Sequence, residues 1–257
     1  LVFSLVRYFS GGILLIFFIA ARGETLKIAS RDLLPLIALG LLGISLFQGV
    51  WAYGLKYTTA PKAAVLVSTA PIFGALLSGF MGKWPSLKTW AGIFLSFLGI
   101  AIVINGSITE LNLGGGTFLG DLLMMTGSAI WAVYSALSTK PVRRLGALRV
   151  IAFGMLAGGI ALALIAIPFA KEQPWGDMTP GLWLGTGFST ILAAALAFVW
   201  WHEGISRLGI TKAMVYSYLI PILAIIVSVA AFGGQFNMVQ VFASFAVLAG
   251  VQLARTK

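Results

Sequence analysis

Apolar residues in this chain come in long runs rather than in stripes. Hydropathy read along it gives nine such stretches, roughly 2 to 21, 33 to 54, 61 to 81, 87 to 105, 118 to 138, 147 to 169, 181 to 202, 211 to 232 and 237 to 254, with short polar or glycine-rich breaks between them. A helix needs about 20 apolar residues to cross a hydrocarbon layer roughly 30 Å thick. Runs such as 63 to 77 and 222 to 231 are apolar on both parities, whereas a strand of a membrane barrel alternates over about ten residues. The pattern predicts an all-α integral membrane protein with almost nothing left for a domain outside the bilayer.

Part of the pattern occurs twice. Trp51, Gly54, Lys62, Ala63, Val65, Pro71, Ile72 and Ser78 recur without a gap as Trp201, Gly204, Lys212, Ala213, Val215, Pro221, Ile222 and Ser228. Identity at this level, against about two matches expected by chance in so apolar a window, signals an architecture built twice. Gly120, Asp121 and Trp131 lie in the fifth stretch, and their counterparts one repeat earlier would fall before Leu1. A further helix upstream is therefore expected, making nine spans of an expected ten in two five-helix sets. An odd number of crossings per set sends the second copy in from the opposite side, so the repeats are expected to be inverted. The corresponding domains are 1–108, lacking its first helix, and 117–257. A signal peptide over 1 to 21 fits less well, because Arg7 sits inside the apolar run and no small-residue cleavage pattern follows.

Composition agrees: 60% of residues are hydrophobic and 9% charged, with a mean hydropathy of +1.01. The chain has no cysteine, which excludes disulfides, thiolate metal sites and cysteine nucleophiles. A net charge of +10 would suggest nucleic acid in a soluble protein, but here it reads as topology. Of 17 basic residues, 13 fall on one side of the spans: Arg22, Lys27, Arg31, Lys83, Lys88, Lys140, Arg143, Arg144, Arg149, Arg207, Lys212, Arg255 and Lys257. Arg7, Lys56, Lys62 and Lys171 make up the other side. The richer side is expected to be cytoplasmic and to hold the C-terminus.

The run from Gly54 through Lys62 to Pro71, its partner from Gly204 through Lys212 to Pro221, and Gly120-Asp121 followed by Trp131-Ala-Val-Tyr134 resemble the EamA-type drug/metabolite transporters. Arg7 is similar to the arginine near the start of that family's second helix. The resemblance spans essentially the whole chain. It implies a ten-helix transporter of small metabolites in a cell membrane, commonly a bacterial inner-membrane exporter, with inverted five-helix repeats around a central cavity. One departure is plain: where the family often has an acidic residue about nine positions before a glycine in its fifth helix, this chain has Lys83 before Gly92.

Candidate chemistry is sparse. All seven carboxylates, Glu24, Asp32, Glu110, Asp121, Glu172, Asp177 and Glu203, are expected in loops or at helix ends, which weakens a proton-relay mechanism. The single histidine, His202, adjoins Glu203 at the expected end of its helix; the pair reads as a pH-sensitive gate or, with more weight, as an interfacial polar cluster. No metal site or cofactor is expected, since neither a second histidine nor a zinc spacing exists. Gly114-Gly-Gly116 lacks the residues that complete a phosphate loop, and no nucleophile and base stand at an interpretable spacing. Gly154 and Gly158 are spaced for close helix contact, more often packing than a dimer interface, which leaves a homodimer open.

Polar and aromatic residues inside the spans carry more. Ser128, Trp131, Ser135 and Ser138 share one helical face and line a cavity, or else bond back to their own helix. Gln48 needs a partner at such depth, in protein or cavity water, and Trp51 lies three residues on. Pro71 and Pro221 each remove a backbone donor in mid-span; interrupted helices at matching positions of two repeats often flank a transporter's substrate site, though a plain kink is the alternative. The expected substrate set is thus Gln48, Trp51, Ser68, Thr69, Trp131, Ser135, Trp201, Tyr216 and Ser217, with Pro71, Pro221, His202 and Glu203 as helix-break or gating residues. The sequence reads as an exporter of small neutral or zwitterionic metabolites. Its partners are the substrate and the lipid bilayer, not nucleic acid. A non-transporting membrane scaffold or assembly partner and an intramembrane enzyme are the alternatives.

Overall fold

The computed structural model describes residues 1–108, 114–232 and 237–255. Glu110 and Lys257 lie outside the described residues, as does the side chain of Ser228. Among those described, nine helices are long and apolar enough to cross a membrane: α1 (Val2–Ala21), α2 (Ser30–Tyr57), α3 (Ala60–Phe80), α4 (Leu87–Asn105), α5 (Phe118–Leu145), α6 (Ala147–Glu172), α7 (Pro180–Leu208), α8 (Ile210–Val227) and α9 (Met238–Arg255). No strand occurs among the described residues.

Several helices outrun their apolar stretches. Helix α5 continues past Pro141 through Arg143 and Arg144, because basic side chains suit the negative end of the helix dipole and their long stems lie along apolar surface. Helix α7 likewise reaches Leu208, with Arg207 in its last turn. Starts and stops follow local chemistry. The Ser86 hydroxyl accepts from the Thr89 amide at 3.2 Å to open α4, and Gly106, at φ +68°, closes it in a left-handed conformation that a side chain would resist.

Five spans are irregular, α6 only in its last turns, which are 3-10 over Ile167–Glu172. Wide π-helical turns occupy Leu41–Leu46 in α2 and Ser189–Leu196 in α7. A turn at Ser68 and Thr69 splits α3 just before Pro71, and a 3-10 turn at Tyr216–Tyr218 precedes Pro221 in α8. Proline has no N–H and crowds the carbonyl four residues back, which for Pro71 is that of Val67.

The chain forms two compact units, Leu1–Ala52 with Tyr134–Arg207, and Tyr53–Val133 with Leu208–Lys257. The first is built on Tyr8, Leu15, Ile19, Ile44, Ile151 and Met155. Gly40 lies so close to Gly154 and Gly158 that a Cβ there would strike the Gly154 carbonyl, and Ser45 donates to the Gly158 carbonyl at 2.7 Å. The Gly154 and Gly158 spacing therefore serves packing within the chain. Asp32, buried in the first turn of α2, pairs with Arg144, so this carboxylate is neutralised at a helix end.

The second unit is built on Ala75, Ile93, Ile100, Val215, Tyr218 and Val247. Helices α4 and α9 meet at Gly92 and Gly250, where a Cβ on either would hit the other's carbonyl, and Ser96 donates to the Val247 carbonyl at 3.2 Å. In both units small residues bring backbones together, as expected where lipid offers no hydrophobic drive between helices. Large apolar side chains such as Leu34, Leu164 and Leu184 point outward, into what hydrocarbon rather than water would solvate.

Candidate functional site

Within the first unit, a polar and aromatic group lies inside the spans. Ser4 and Tyr8, four residues apart on one face of α1, both meet Gln48 of α2. The Ser4 hydroxyl donates to Gln48 Oε1 at 3.1 Å, and Gln48 Nε2 donates to Tyr8 Oη at 2.8 Å. Gln48 is buried, and its partners are protein. The Tyr8 ring stands edge-on to Phe198 at 5.4 Å, Phe198 lies 6.1 Å from the His202 ring, and Tyr134 stands edge-on to His202 at 4.7 Å. Next to it, Trp201 Nε1 donates to Ser135 Oγ at 3.3 Å.

His202 corrects an expectation. It is fully buried and lies six residues short of the end of α7 rather than at it. Nor does it join Glu203: His202 Nδ1 faces the Phe198 carbonyl at 2.8 Å, while Glu203 pairs with Arg207 at 2.6 Å. Successive helical side chains diverge by about 100°, which sends the two neighbours to different surroundings.

In the second unit, Ser128 answers the break before Pro71. Its hydroxyl lies 3.2 Å from the Leu66 carbonyl and 3.3 Å from that of Val67, as well as 3.2 Å from the Met124 carbonyl in its own helix. The Leu66 carbonyl already accepts from the Thr69 amide at 3.1 Å, so it is the Val67 carbonyl, left without an amide donor by Pro71, to which Ser128 offers a polar hydrogen. Ser68 donates to the Ala64 carbonyl, Thr69 to that of Leu66 and Ser217 to that of Met214, at 2.8, 2.6 and 2.7 Å. Each of these three spends its proton on its own helix and keeps oxygen lone pairs. The Tyr216 ring lies under the Arg255 guanidinium at 5.1 Å. Among the remaining candidates, Trp51 of the first unit tilts against Phe47 at 5.8 Å, and Trp131 of the second is half-buried.

Sequence reasoning missed two groupings. Ser4 and Tyr8 were detectable as polar residues four apart in the first apolar run. The second grouping joins distant residues: Lys62 Nζ lies 2.6 Å from Asp121 Oδ2, Thr58 Oγ1 donates to Asp121 Oδ1 at 3.1 Å, and Lys62 donates to the Gly115 carbonyl at 3.3 Å. Nothing local in the sequence announces that pairing.

The profile of the EamA-like transporter family matches residues 1–105 and 118–256. The chain belongs to this family. It is similar to the uncharacterized transporter YyaM of Bacillus subtilis, 28% identical over 95% of this chain and 80% of that one. It is 29% identical to the uncharacterized inner membrane transporter YedA of Escherichia coli, over 90% of this chain and 72% of that one. It is also 29% identical to a Streptantibioticus cattleyicolor protein named "Probable terminal-alkyne amino-acid exporter", over 77% of this chain and 65% of that one. A crystal structure aligns over 98% of this chain and 85% of its own with a TM-score of 0.83, at 22% identity, which speaks to the fold. The EamA-family chain is therefore a multi-pass membrane transporter, set in a lipid bilayer and handling a small molecule.

Proposed function

We propose that this EamA-family protein exports small neutral or zwitterionic metabolites across a bacterial inner membrane. It works by alternating access through a central cavity between two inverted repeats, residues 1–108 and 117–257. The observation that carries this reading is the polar and aromatic group inside the spans, with buried Gln48 bonded to Ser4 and Tyr8, and half-buried Trp201 bonded to buried Ser135. Polar groups at such depth are costly and mark substrate pathways more readily than lipid-facing scaffolds. Apart from Glu203, which pairs with Arg207, the described carboxylates lie at helix ends or between helices, so the interior offers few fixed charges and suits solutes of no net charge.

Trp51, Trp131, Trp201 and Tyr216 enclose or stack on the substrate, and Gln48, Ser68, Thr69, Ser135 and Ser217 hydrogen-bond it. Because Ser68, Thr69 and Ser217 donate to their own backbones, what they offer is lone pairs, matched to an N–H or ammonium. Pro71 and Pro221 supply the helix breaks, with His202 and Glu203 in the span that must move. Export follows the family resemblance and the name of the Streptantibioticus relative. The split of basic residues puts the C-terminus in the cytoplasm. Transport, not catalysis, is the activity: no covalent step is assigned to any residue. In the full-length protein, Trp131→Ala and Ser217→Ala should each reduce substrate flux in vesicles while membrane insertion persists. Wild-type rates in both would overturn the site.

A further inference from the structure

Leu208, Lys212, Tyr216, Gln252 and Arg255 line a cavity of about 240 Å³ in the second unit. Its position is set by helix ends: Leu208 closes α7, Lys212 is the third residue of α8, and Arg255 closes α9. The cavity therefore opens at the membrane face where these three spans terminate, the face expected to be cytoplasmic from its excess of basic residues.

The lining is cationic. Lys212 and Arg255 contribute two positive charges, Gln252 adds an amide, and no carboxylate belongs to the wall. Among the described residues neither Lys212 nor Arg255 forms an ion pair. The contrast with Lys62, one repeat earlier, is direct, since that ammonium is neutralised by Asp121 at 2.6 Å. The Arg255 guanidinium is held over the Tyr216 ring at 5.1 Å; cation–π contact fixes the plane of the fork while leaving its N–H edges free to bind an oxyanion. Within the lining Leu208 is an exposed apolar side chain, a surface for an acyl chain rather than for water.

We propose that this cavity binds the phosphate headgroup of an anionic phospholipid of the cytoplasmic leaflet. The phosphate oxygens meet Lys212 and Arg255, and Gln252 donates a further hydrogen bond. Basic pockets between transmembrane helices on this side are suited to such headgroups, and the charge pair sits at headgroup depth. The site shares Tyr216 with the proposed substrate set and differs from it in what it selects, a net negative charge.

The test uses the full-length protein and native mass spectrometry, with equimolar phosphatidylglycerol and phosphatidylcholine offered in mixed micelles. A basic residue that meets the headgroup is worth about fivefold in affinity for anionic lipid, so the pair should favour phosphatidylglycerol roughly thirtyfold. Lys212→Gln with Arg255→Gln should bring the two lipids to parity, while Lys88→Gln, outside the cavity, should leave the preference intact. Arg255→Gln alone, read in the same way, should remove about fivefold of it and decides the matter if the double variant does not insert. An unchanged preference in the Arg255→Gln protein overturns the proposal. So does inorganic phosphate that displaces the lipid and by itself gives the same thermal stabilisation, since the ligand would then be a soluble anion.

Discussion

Replacing Tyr8 by Phe and Gln48 by Ala, singly and together, measures the hydrogen bond at the centre of the first unit. Tyr8→Phe deletes one oxygen and keeps the ring that stands on Phe198 at 5.4 Å. Gln48→Ala removes that same bond, and with it the one from Ser4. The single changes mix the lost bond with orphaned groups and lost packing; the cycle isolates the pair. Side-chain hydrogen bonds inside membrane proteins couple by about 0.6 kcal/mol on average and about 1.7 at most. A donor to acceptor distance of 2.8 Å between two buried side chains favours the upper part, so a coupling of about 1 to 1.7 kcal/mol is expected, roughly five- to eighteenfold in the unfolding equilibrium. Reversible unfolding of the full-length protein in bicelles supplies the four free energies. Additivity to within about 0.3 kcal/mol would mean that the bond is absent and would refute the arrangement of α1 on α2.

Other expectations are as direct. Asp121→Asn should cost about 1.5 to 3 kcal/mol, the range for hydrogen bonds to charged groups, because Asp121 and Lys62 are both mostly shielded. The exchange Lys62→Asp with Asp121→Lys should recover part of the loss, and no recovery in the same unfolding assay argues against the pair. Gly40→Leu should destabilise by about 1 to 3 kcal/mol or more through overpacking against Gly154 and Gly158, whereas Gly49→Leu, whose Cβ meets open space, should retain near wild-type melting; equal melting temperatures for the two would count against the close contact. Since the chain has no cysteine, single cysteines at Lys83 and Lys171 report topology: impermeant thiol reagents should label the second from outside intact cells and the first only after permeabilisation, and labelling of both from one side would reverse the charge argument.

Hydropathy alone was enough for the helical spans, because about 20 consecutive apolar residues leave no other way to satisfy the backbone in lipid. Their ends were harder to read. Hydropathy falls at Lys140 and Arg143, but the backbone of α5 continues to Leu145, since basic termini are compatible with a helix. The same error put His202 at the end of its helix, whereas α7 continues to Leu208 and His202 packs between Tyr134 and Phe198. Gln48 was rightly expected to need a partner, although Ser4 and Tyr8 as the partners came only with the packing of α1 on α2. Prolines marked the interruptions of α3 and α8, while the π-helical turns at Leu41–Leu46 and Ser189–Leu196 carry no comparable residue signal. Ser128 read either as part of a cavity stripe or as a serine bonding back to its own helix. Its hydroxyl lies 3.2 Å from the Met124 carbonyl one turn back and also reaches the Val67 carbonyl freed at the break in α3, a contact between segments some sixty residues apart.

The central claim is that this EamA-family chain moves a small, uncharged or zwitterionic solute. Its most direct test is flux of the full-length protein reconstituted in sealed vesicles, over a panel of neutral, zwitterionic and anionic metabolites, with and without a pH gradient. Saturable flux confined to the neutral and zwitterionic solutes, reduced by Trp131→Ala, is the predicted result. Flux of polyanions in preference to these solutes, or no solute moved by a correctly inserted protein, would contradict it.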